Sequence, residues 1–194
     1  MTPLRIVVAE DESIVALSLI GQLKELGYAV VGDAADGVEA VELCHKLQPD
    51  LVLMDINMPR MNGIQSAGTI RDQFGIPVII ISGYSDESLV KEAAEAGVFT
   101  YLVKPVTKYN LGPAIEVALK NHQSFRRITD ETNHLRQDLA DRKLIEQAKG
   151  ILMRQMGLSE NESMKRLQKM SNNRNTKLAA VAQEVIAADG LFHR

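Results

Sequence analysis

Four short groups of reactive side chains each follow directly on an apolar run of the sequence. They are an acidic pair, a single aspartate, a serine and a lysine-proline pair, namely Glu10-Asp11, Asp55, Ser82 and Lys104-Pro105. The preceding runs are short and rich in β-branched residues, which is typical of strands buried on both faces of a parallel sheet. Ligands bind outside the carboxyl ends of such strands, so we expect three carboxylates, one hydroxyl and one amine to meet at one site. These are the groups needed to phosphorylate an aspartate.

The chemical obstacle at such a site is repulsion, since a carboxylate and a phosphoryl group are both anions. A hard divalent cation held by oxygen ligands removes that repulsion and orients the phosphoryl group. Asp11 and Asp55 can supply two carboxylate ligands, and the backbone carbonyl of Asn57 is a natural third oxygen. Glu10 can act on the cation directly or through water.

The remaining two groups suit the phosphoryl oxygens. Lys104 would pair with one of them and the Ser82 hydroxyl would donate to another, so that transfer leaves an aspartyl phosphate on Asp55. Each residue has an ordinary alternative when taken alone: the acidic pair could cap the helix at Ser13, and Lys104-Pro105 could be only a turn. Their joint occurrence, each at the end of its own strand, favours the phosphoryl site.

The elements that must position these residues alternate between strand and helix over the first 106 residues. Helices are predicted over about residues 13–26 and 38–47, and Asp86 can cap a further helix that ends near Gly97. Five βα units of this length predict an α/β fold, a flavodoxin-like doubly wound sheet of five parallel strands.

From about Lys108 the pattern becomes wholly helical, with no loop signal before Gly157. Spacings of three and four residues alternate along this stretch and form a heptad seam with two polar members, Asn121 and Thr132. The seam is Leu111, Ala114, Ala118, Asn121, Phe125, Ile128, Thr132, Leu135 and Leu139. One alternative is that the stripe packs on its own domain. A dimeric coiled coil is favoured, because such a helix projects too far for a small sheet domain to cover it.

The rest of the chain predicts a small three-helix module. A capping box at Ser159–Glu162 opens its second helix, residues 172–175 form a turn, and Thr176 caps a third helix that stops at Gly190. The predicted organisation is a sheet domain over residues 1–120, a long helix or coiled-coil linker over 108–140, and a helical domain over 135–194.

Charge separates the two halves of the chain. The 194 residues carry a net charge of −3 at pH 7, which divides into −7 over residues 1–120 and +4 over residues 121–194. The acidic half suits a divalent cation, and the basic half could meet a polyanion. No apolar stretch reaches the length of a membrane span, and the single cysteine, Cys44, is read as packing. We therefore expect a cytoplasmic protein with no membrane partner.

With these motifs established, residues 1 to about 120 resemble a response-regulator receiver domain. The four groups match the family's pattern one by one, and PDLVLMDINMPRMNG at residues 49–63 is a highly specific match. The resemblance implies that a partner histidine kinase phosphorylates Asp55 with Mg²⁺ bound. It also implies a cis peptide bond before Pro105, which would aim Lys104 into the site.

The same resemblance implies a pair of switch residues. In the family, the residues corresponding to Ser82 and the aromatic Tyr101 move together when the site is phosphorylated. Half-buried packing is the alternative interpretation of Tyr101, and the sequence leaves both open.

Residues of about 135–190 resemble the ANTAR domain, an antiterminator module that binds RNA. The match comprises IEQAKGILM at residues 145–153, Gly157-Leu158-Ser159 and Asn175-Thr176-Lys177-Leu178. The chain departs from the family at Ser163-Met164, where the family tends to place an alanine and a larger apolar residue. Gly150 is unusual within a helix, where it costs about 1 kcal/mol relative to Ala. Close approach of another helix or of RNA would explain it, and contact with a helix is the favoured explanation.

Basic and amide side chains of this region are candidates for RNA contact. The bases could bind phosphates and the amides could reach base edges in an RNA loop. The candidates are Arg142, Lys143, Lys149, Arg154, Asn173, Arg174, Asn175 and Lys177. The region has no aromatic residue on which a base could stack, so hairpin shape and phosphate contacts should dominate recognition. Without the resemblance, a solvated charged face would be the preferred interpretation.

The combined prediction is a two-component response regulator that binds RNA hairpins and causes transcription antitermination. Phosphorylation is expected to favour a homodimer that brings two RNA-binding modules together. Two alternatives remain, a DNA-binding regulator and a regulator whose tail binds a protein. We do not expect a metabolic enzyme, since catalysis would be confined to phosphotransfer at Asp55 and its later hydrolysis.

Overall fold

Two compact units make up the chain, Met1–Arg126 and Arg127–Arg194. The computed structural model describes residues 2–83 and 100–192, with the backbone alone at 190–192. The helix predicted from Asp86 to Gly97 therefore lies outside the described residues.

The first unit is built on a sheet of five parallel strands, as predicted. They are β1 (Arg5–Ala9), β2 (Ala29–Ala34), β3 (Leu51–Asp55), β4 (Val78–Ser82) and β5 (Thr100–Val103), in the order β2-β1-β3-β4-β5. In register, Asp55 pairs with Ile81 and Ser82 pairs with Val103. The strands therefore end together at one edge, which confirms the flavodoxin-like doubly wound sheet.

Every residue of β3 and β4 is buried, as expected for central strands covered on both faces. The helices in the described part of the chain are α1 (Ser13–Glu25), α2 (Gly37–Leu47), α3 (Gly63–Phe74), α4 (Lys108–Met156), α5 (Glu160–Arg174) and α6 (Leu178–Phe192). One core cluster joins alternate strand residues such as Val7 and Ile80 to α2 and α3. The other joins Ile6 and Ile79 to α1 and to the first turns of α4.

The heptad seam of α4 changes its environment along the helix. Leu111 and Ala118 are fully buried and belong to the sheet core, so the first part of the seam packs on its own domain. Ile128, Leu135 and Leu139 are exposed. Packing on its own domain therefore holds for the first part of the stripe, and the dimeric coiled coil stays a prediction for the rest.

The second unit packs the last turns of α4 against α5 and α6 around Ala148, Leu152, Leu167, Val181 and Ala182. The predicted capping box opens α5, since Ser159 accepts from the Glu162 N–H and the Glu162 carboxylate accepts from the Ser159 N–H. Within residues 2–83 and 100–192, no helix combines the length and the apolar character needed to cross a membrane.

Two predicted ends of α6 are wrong. The helix begins at Leu178, and the Lys177 carbonyl accepts its first backbone hydrogen bonds. Thr176 does not cap the helix, because its backbone is held in the preceding turn by hydrogen bonds with Ser171. At its other end the helix continues through Gly190 to Phe192. A single glycine costs only about 1 kcal/mol in a helix, which is too little to end it.

Candidate functional site

The carboxyl ends of four strands bring the predicted phosphoryl site together. Glu10 follows β1, Asp55 and Ser82 are the last residues of β3 and β4, and Lys104 follows β5. This follows from the parallel order of the sheet, because each strand enters at one edge and ends at the other.

Lys104 lies between two buried carboxylates. Its Nζ is 2.7 Å from Oδ1 of Asp55 and 2.9 Å from Oε2 of Glu10, and it donates a 3.2 Å hydrogen bond to Oε1 of Glu10. The Asp55 and Glu10 side chains are 6% and 1% exposed. The Lys104 ammonium thus offsets part of the negative charge of these two carboxylates, whose burial would otherwise be costly.

Burial and the neighbouring charges shift the pKa values of Glu10 and Lys104. Burial raises the pKa of Glu10; the hydrogen bond from Lys104 opposes this, while repulsion from Asp55 adds to it. Burial alone would lower the pKa of Lys104, but hydrogen bonds to Asp55 and Glu10 outweigh it and leave the pKa above its usual value. Lys104 is therefore a cation at neutral pH.

An acidic cluster beside Lys104 fits a hard cation. Glu10, Asp11 and Asp55 each offer an oxygen, and these oxygens lie within 4.8 Å of one another. Among the described residues, Oε2 of Glu10 is buried and accepts no hydrogen bond of proper geometry, although the Lys104 ammonium is 2.9 Å away. The acidic pair does not cap α1 either, because Glu12 is at the cap position and its side chain makes no capping bond. An all-oxygen set of this kind suits Mg²⁺.

The loop after β3 places Asn57 beside the aspartate. The Asn57 N–H donates to Oδ2 of Asp55 at 2.8 Å. Gly63, at the start of α3, closes the loop by donating to the Ile56 carbonyl at 2.9 Å. A Cβ at Gly63 would lie 2.0 Å from the Asp55 carbonyl oxygen, so this position has room only for glycine.

An ion pair fixes the same loop from outside. Nε of Arg60 donates to Oδ2 of Asp36 at 2.7 Å, and Arg60 has a positive φ of 62°. Asp36 also caps α2 by accepting from the Val38 and Glu39 N–H groups. Asp36, Arg60 and Gly63 are not among the site residues predicted from the sequence. The Asn62-Gly63 dipeptide after a proline was the available signal for a cap and a close approach.

The two predicted switch residues lie on adjacent strands. Ser82 is 2% exposed, and its carbonyl accepts from the Lys104 N–H at 2.8 Å. Tyr101 on β5 is half-buried and packs against the core on the α2 and α3 face. The Lys104-Pro105 bond is cis, which confirms that implication of the resemblance. Coupled movement of Ser82 and Tyr101 stays a prediction.

The predicted RNA contacts form two groups in the second unit. Arg142, Lys143 and Arg154 are exposed on α4. The other group is exposed around the connection of α5 to α6: Asn173, Arg174, Asn175 and Lys177. Asn175 ends α5 in the left-handed conformation with φ 49°, and Arg174 forms an ion pair with Glu184.

Lys149 differs from the other candidates. Only 9% of its side chain is exposed, and its ammonium lies 2.9 Å from Glu146 and 2.6 Å from Glu160. Hydrogen bonds to Glu160 and Glu146 raise the pKa of Lys149. A phosphate contact would require breaking both ion pairs, so the structure favours a role in joining α4 to the start of α5.

Gly150 lies in a groove of about 600 Å³ that is also lined by Lys143, Gln147 and Arg154. Leaving aside the adjoining residues and the nearby backbone of α4 itself, the nearest described atom to a Cβ at Gly150 would be Arg154 Nη1, at 3.8 Å. No neighbouring helix therefore requires a glycine here, contrary to the preferred explanation from the sequence. Close approach of RNA at Gly150 stays a prediction.

Comparison with known proteins finds a domain family that matches each of the two units. A family model of the response regulator receiver domain matches residues 6–116, and a model of the ANTAR domain matches residues 133–186. The chain is 39% identical over 188 residues to the transcriptional regulatory protein PdtaR of Mycobacterium tuberculosis, covering 97% of this chain and 92% of that protein.

Solved structures resemble the first unit. The receiver domain of a modulated diguanylate cyclase from Desulfovibrio desulfuricans G20 is 31% identical, with a TM-score of 0.59, over 63% of this chain and 98% of that chain. The response regulator domain of Thermotoga maritima CheB is 29% identical, with a TM-score of 0.58, over 61% and 98% of the two chains.

Proposed function

The chain belongs to the two-component response regulators that join a receiver domain to an ANTAR output domain, and we propose that phosphorylation of Asp55 controls its binding to RNA hairpins. A histidine kinase is the proposed phosphodonor, and transcription antitermination is the proposed result. Catalysis by this chain is limited to the transfer onto Asp55 and the later hydrolysis, with no metabolic reaction.

The placement of one ammonium against the aspartate carries this proposal. Lys104 Nζ lies 2.7 Å from Oδ1 of Asp55, and the acidic oxygens of Glu10 and Asp11 lie within 4.8 Å of an Asp55 oxygen. A buried aspartate surrounded in this way faces both a cation site and a fixed positive charge. These are the two features that a carboxylate needs to accept a phosphoryl group.

Glu10, Asp11, Asp55 and the backbone carbonyl of Asn57 are proposed to hold Mg²⁺, which when bound would offset the charge of the incoming phosphoryl group. An Asp55 carboxylate oxygen then attacks phosphorus, the phosphorus–nitrogen bond of the donor histidine breaks, and an acyl phosphate forms. Lys104 and Ser82 are proposed to pair with the transferred oxygens. The Asn57 N–H, which already donates to Asp55, keeps the carboxylate oriented.

The output surface is proposed to include the groove at Gly150 and the exposed bases around it. Lys143 and Arg154 would bind phosphates, and the glycine would let the RNA backbone approach α4 closely. Arg142 adds to this group, and the connection between α5 and α6 supplies Asn173, Arg174, Asn175 and Lys177. Two such modules, paired after phosphorylation, would gain avidity for paired hairpins.

Gel shifts with an RNA hairpin and a DNA duplex of matched sequence test the output directly. The full chain, treated with acetyl phosphate and Mg²⁺, should bind the RNA more tightly than the duplex, and its affinity should fall as salt rises. Preference for the duplex would support the DNA-binding alternative. Binding to neither would contradict the proposal and leave the protein-interaction alternative.

A further inference from the structure

The loop between β3 and α3 contains a residue whose backbone conformation is unfavourable for an L-amino acid. Arg60 has a φ of 62°, in the left-handed region where a Cβ crowds the backbone. Gln48 and Asn175, the other non-glycine residues of the described chain with positive φ, end helices, whereas Arg60 ends none. Such strain persists only where surrounding contacts enforce it, and it is concentrated at functional sites. The contacts of the Arg60 side chain therefore hold its backbone in this state.

The Arg60 guanidinium forms an ion pair with the carboxylate of Asp36. Its Nε donates to Oδ2 of Asp36 at 2.7 Å, and its Nη2 donates to the same oxygen. The Asp36 side chain is 9% exposed and that of Arg60 is 59% exposed. Ion pairs between two exposed side chains contribute little, because both must be ordered to form them. Here one partner is buried and already ordered, so the pair can fix the position of the loop.

Asp36 is a rigid anchor for this pair. Its second oxygen, Oδ1, accepts from the Val38 and Glu39 N–H groups at 2.9 Å and 3.0 Å, at the start of α2. A Cβ at the next residue, Gly37, would lie 2.4 Å from the Met61 carbonyl oxygen. The backbone of the loop thus abuts the first turn of α2, whose inner face belongs to the sheet core.

The same loop is tied to the phosphoryl site at its other end. Asn57, three positions before Arg60, donates its N–H to Oδ2 of Asp55 at 2.8 Å. Between them, Met58 is buried in the core, and the Met61 N–H donates to the Pro59 carbonyl at 2.7 Å. A segment so short and so closely bonded has little slack. Displacement at Arg60 therefore changes the position of Asn57.

We propose that Arg60 is a positioning residue of the phosphoryl site, which through its ion pair with Asp36 holds the loop so that Asn57 stays beside Asp55. The inference deepens the proposed function and rests on it in one respect, that the Asn57 carbonyl and the acidic oxygens hold Mg²⁺. Because Mg²⁺ demands nearly ideal octahedral geometry, a displaced carbonyl ligand binds it more weakly.

Positioning and simple charge predict opposite effects of removing Arg60. Arg60→Ala takes away a positive charge near the acidic cluster. If Arg60 acted on the site only through its charge, Mg²⁺ would bind more tightly to this variant. If Arg60 positions the loop, Mg²⁺ binds more weakly.

Calorimetric titration of the full chain with Mg²⁺ measures the sign. Arg60→Ala should raise the Mg²⁺ dissociation constant by about tenfold, as expected for groups that orient metal ligands. Arg60→Gly should do the same although glycine adopts this φ without strain, so the loss does not depend on a damaged fold. Lys46→Ala, which removes an exposed cation paired with Glu42 at 3.9 Å, is the control and should leave the constant unchanged. Unchanged or tighter binding by either Arg60 variant overturns the proposal.

A double-mutant cycle tests the role of Asp36. Asp36→Asn keeps the cap of α2, since asparagine caps helices as well as aspartate does, and it weakens the ion pair. Arg60→Ala should therefore raise the Mg²⁺ dissociation constant less in the Asp36→Asn background than in the unaltered chain. An equal rise in both backgrounds would show that Arg60 acts without Asp36 and would overturn the proposal.

The rate of Asp55 phosphorylation by acetyl phosphate, followed by intact-protein mass, provides a second readout. Arg60→Ala should react more slowly than Lys46→Ala at limiting Mg²⁺ and should recover most of its rate at saturating Mg²⁺. Equal rates of the two variants at limiting Mg²⁺ would contradict the positioning role.

The inference and the proposed function can fail separately. If the unaltered chain binds RNA only after phosphorylation, yet Arg60→Ala binds Mg²⁺ as tightly as the unaltered chain, the positioning role alone is refuted. If Arg60→Ala weakens Mg²⁺ binding as expected, yet phosphorylation never changes hairpin affinity, the proposed function is refuted and the positioning role stands.

Discussion

The ammonium of Lys104 lies 2.7 Å from Oδ1 of Asp55 and holds the aspartate beside a second buried carboxylate, that of Glu10. Lys104 thus competes with any cation for the same acidic oxygens. Replacing Lys104 by Met should lower stability in the absence of Mg²⁺ by about 1–3 kcal/mol, since hydrogen bonds to charged groups are lost. The same change should tighten Mg²⁺ binding.

Thermal unfolding followed over a Mg²⁺ titration measures both effects. Lys108→Met is the matched control, because the Lys108 side chain is 48% exposed and its ammonium pairs with Glu25 at the surface. Weaker Mg²⁺ binding in Lys104→Met than in this control would contradict the assignment of the acidic oxygens as the cation site.

Gly63 is required by the close approach of α3 to the phosphoacceptor. A Cβ there would lie 2.0 Å from the Asp55 carbonyl oxygen. Gly63→Ala should therefore destabilise the receiver by about 2–4 kcal/mol through local strain. Gly21→Ala, in α1 where a Cβ has open space, should stabilise it by about 0.5–1 kcal/mol. Urea unfolding of both variants checks the opposite signs, and equal effects would refute the packing argument.

Asp36 makes the receiver's stability depend on pH. Burial alone would raise its pKa, but hydrogen bonds from the Glu39 N–H and Arg60 outweigh it and leave the pKa below its usual value. A lowered pKa in the folded state gives stability that is present above the unfolded pKa and is lost as pH falls through the folded one. Asp36→Asn should therefore be less stable than the unaltered chain at neutral pH.

That difference should shrink as the pH falls below about 4, the usual pKa of an aspartate. Urea unfolding at neutral and acidic pH measures it. Asp33→Asn, at an exposed position of β2, is the control and should show little difference at either pH. A stability difference for Asp36→Asn that did not change with pH would contradict the role given to the ionised carboxylate.

Strand ends were predictable from sequence, because apolar runs and the polar residues after them are local patterns. Asp11, Asp55, Ser82 and Lys104 were identified in this way. The contact of Asp36 with Arg60 was not, because it joins two loops whose approach depends on the whole sheet. Burial of Lys149 was missed for a similar reason, since the sequence shows its charge but not the two carboxylates that surround it.

The long helix shows the same limit. Its heptad pattern is continuous in the sequence, yet Leu111 and Ala118 are buried in the sheet core while Leu135 is exposed. Periodicity reveals which residues share a face and leaves open what covers that face. Ser163 adds a smaller example: it is fully buried, and its hydroxyl makes no hydrogen bond to any described residue. Its place in the core could not be told from its residue type.

Gly150 links the geometry of α4 to the proposed RNA surface. Its Cβ position is open, so Gly150→Ala should stabilise the helix by about 0.5–1 kcal/mol. The added methyl would stand in the groove beside Lys143 and Arg154, and RNA affinity should fall. Gel shifts and thermal unfolding of this variant should therefore move in opposite directions. Unchanged hairpin affinity would remove the groove from the RNA surface, and Gly21→Ala provides the control for binding.

The central claim is that phosphorylation of Asp55 controls RNA binding. Asp55→Asn keeps the shape of the side chain and removes the nucleophilic carboxylate, whereas Asp33→Asn makes the same change at an exposed position outside the site. Hairpin affinity and dimer fraction should be measured for both variants before and after treatment with acetyl phosphate and Mg²⁺. The unaltered chain and Asp33→Asn should gain both on treatment, and Asp55→Asn should gain neither. If Asp55→Asn still dimerised and bound RNA only after exposure to the phosphodonor, the account would be contradicted.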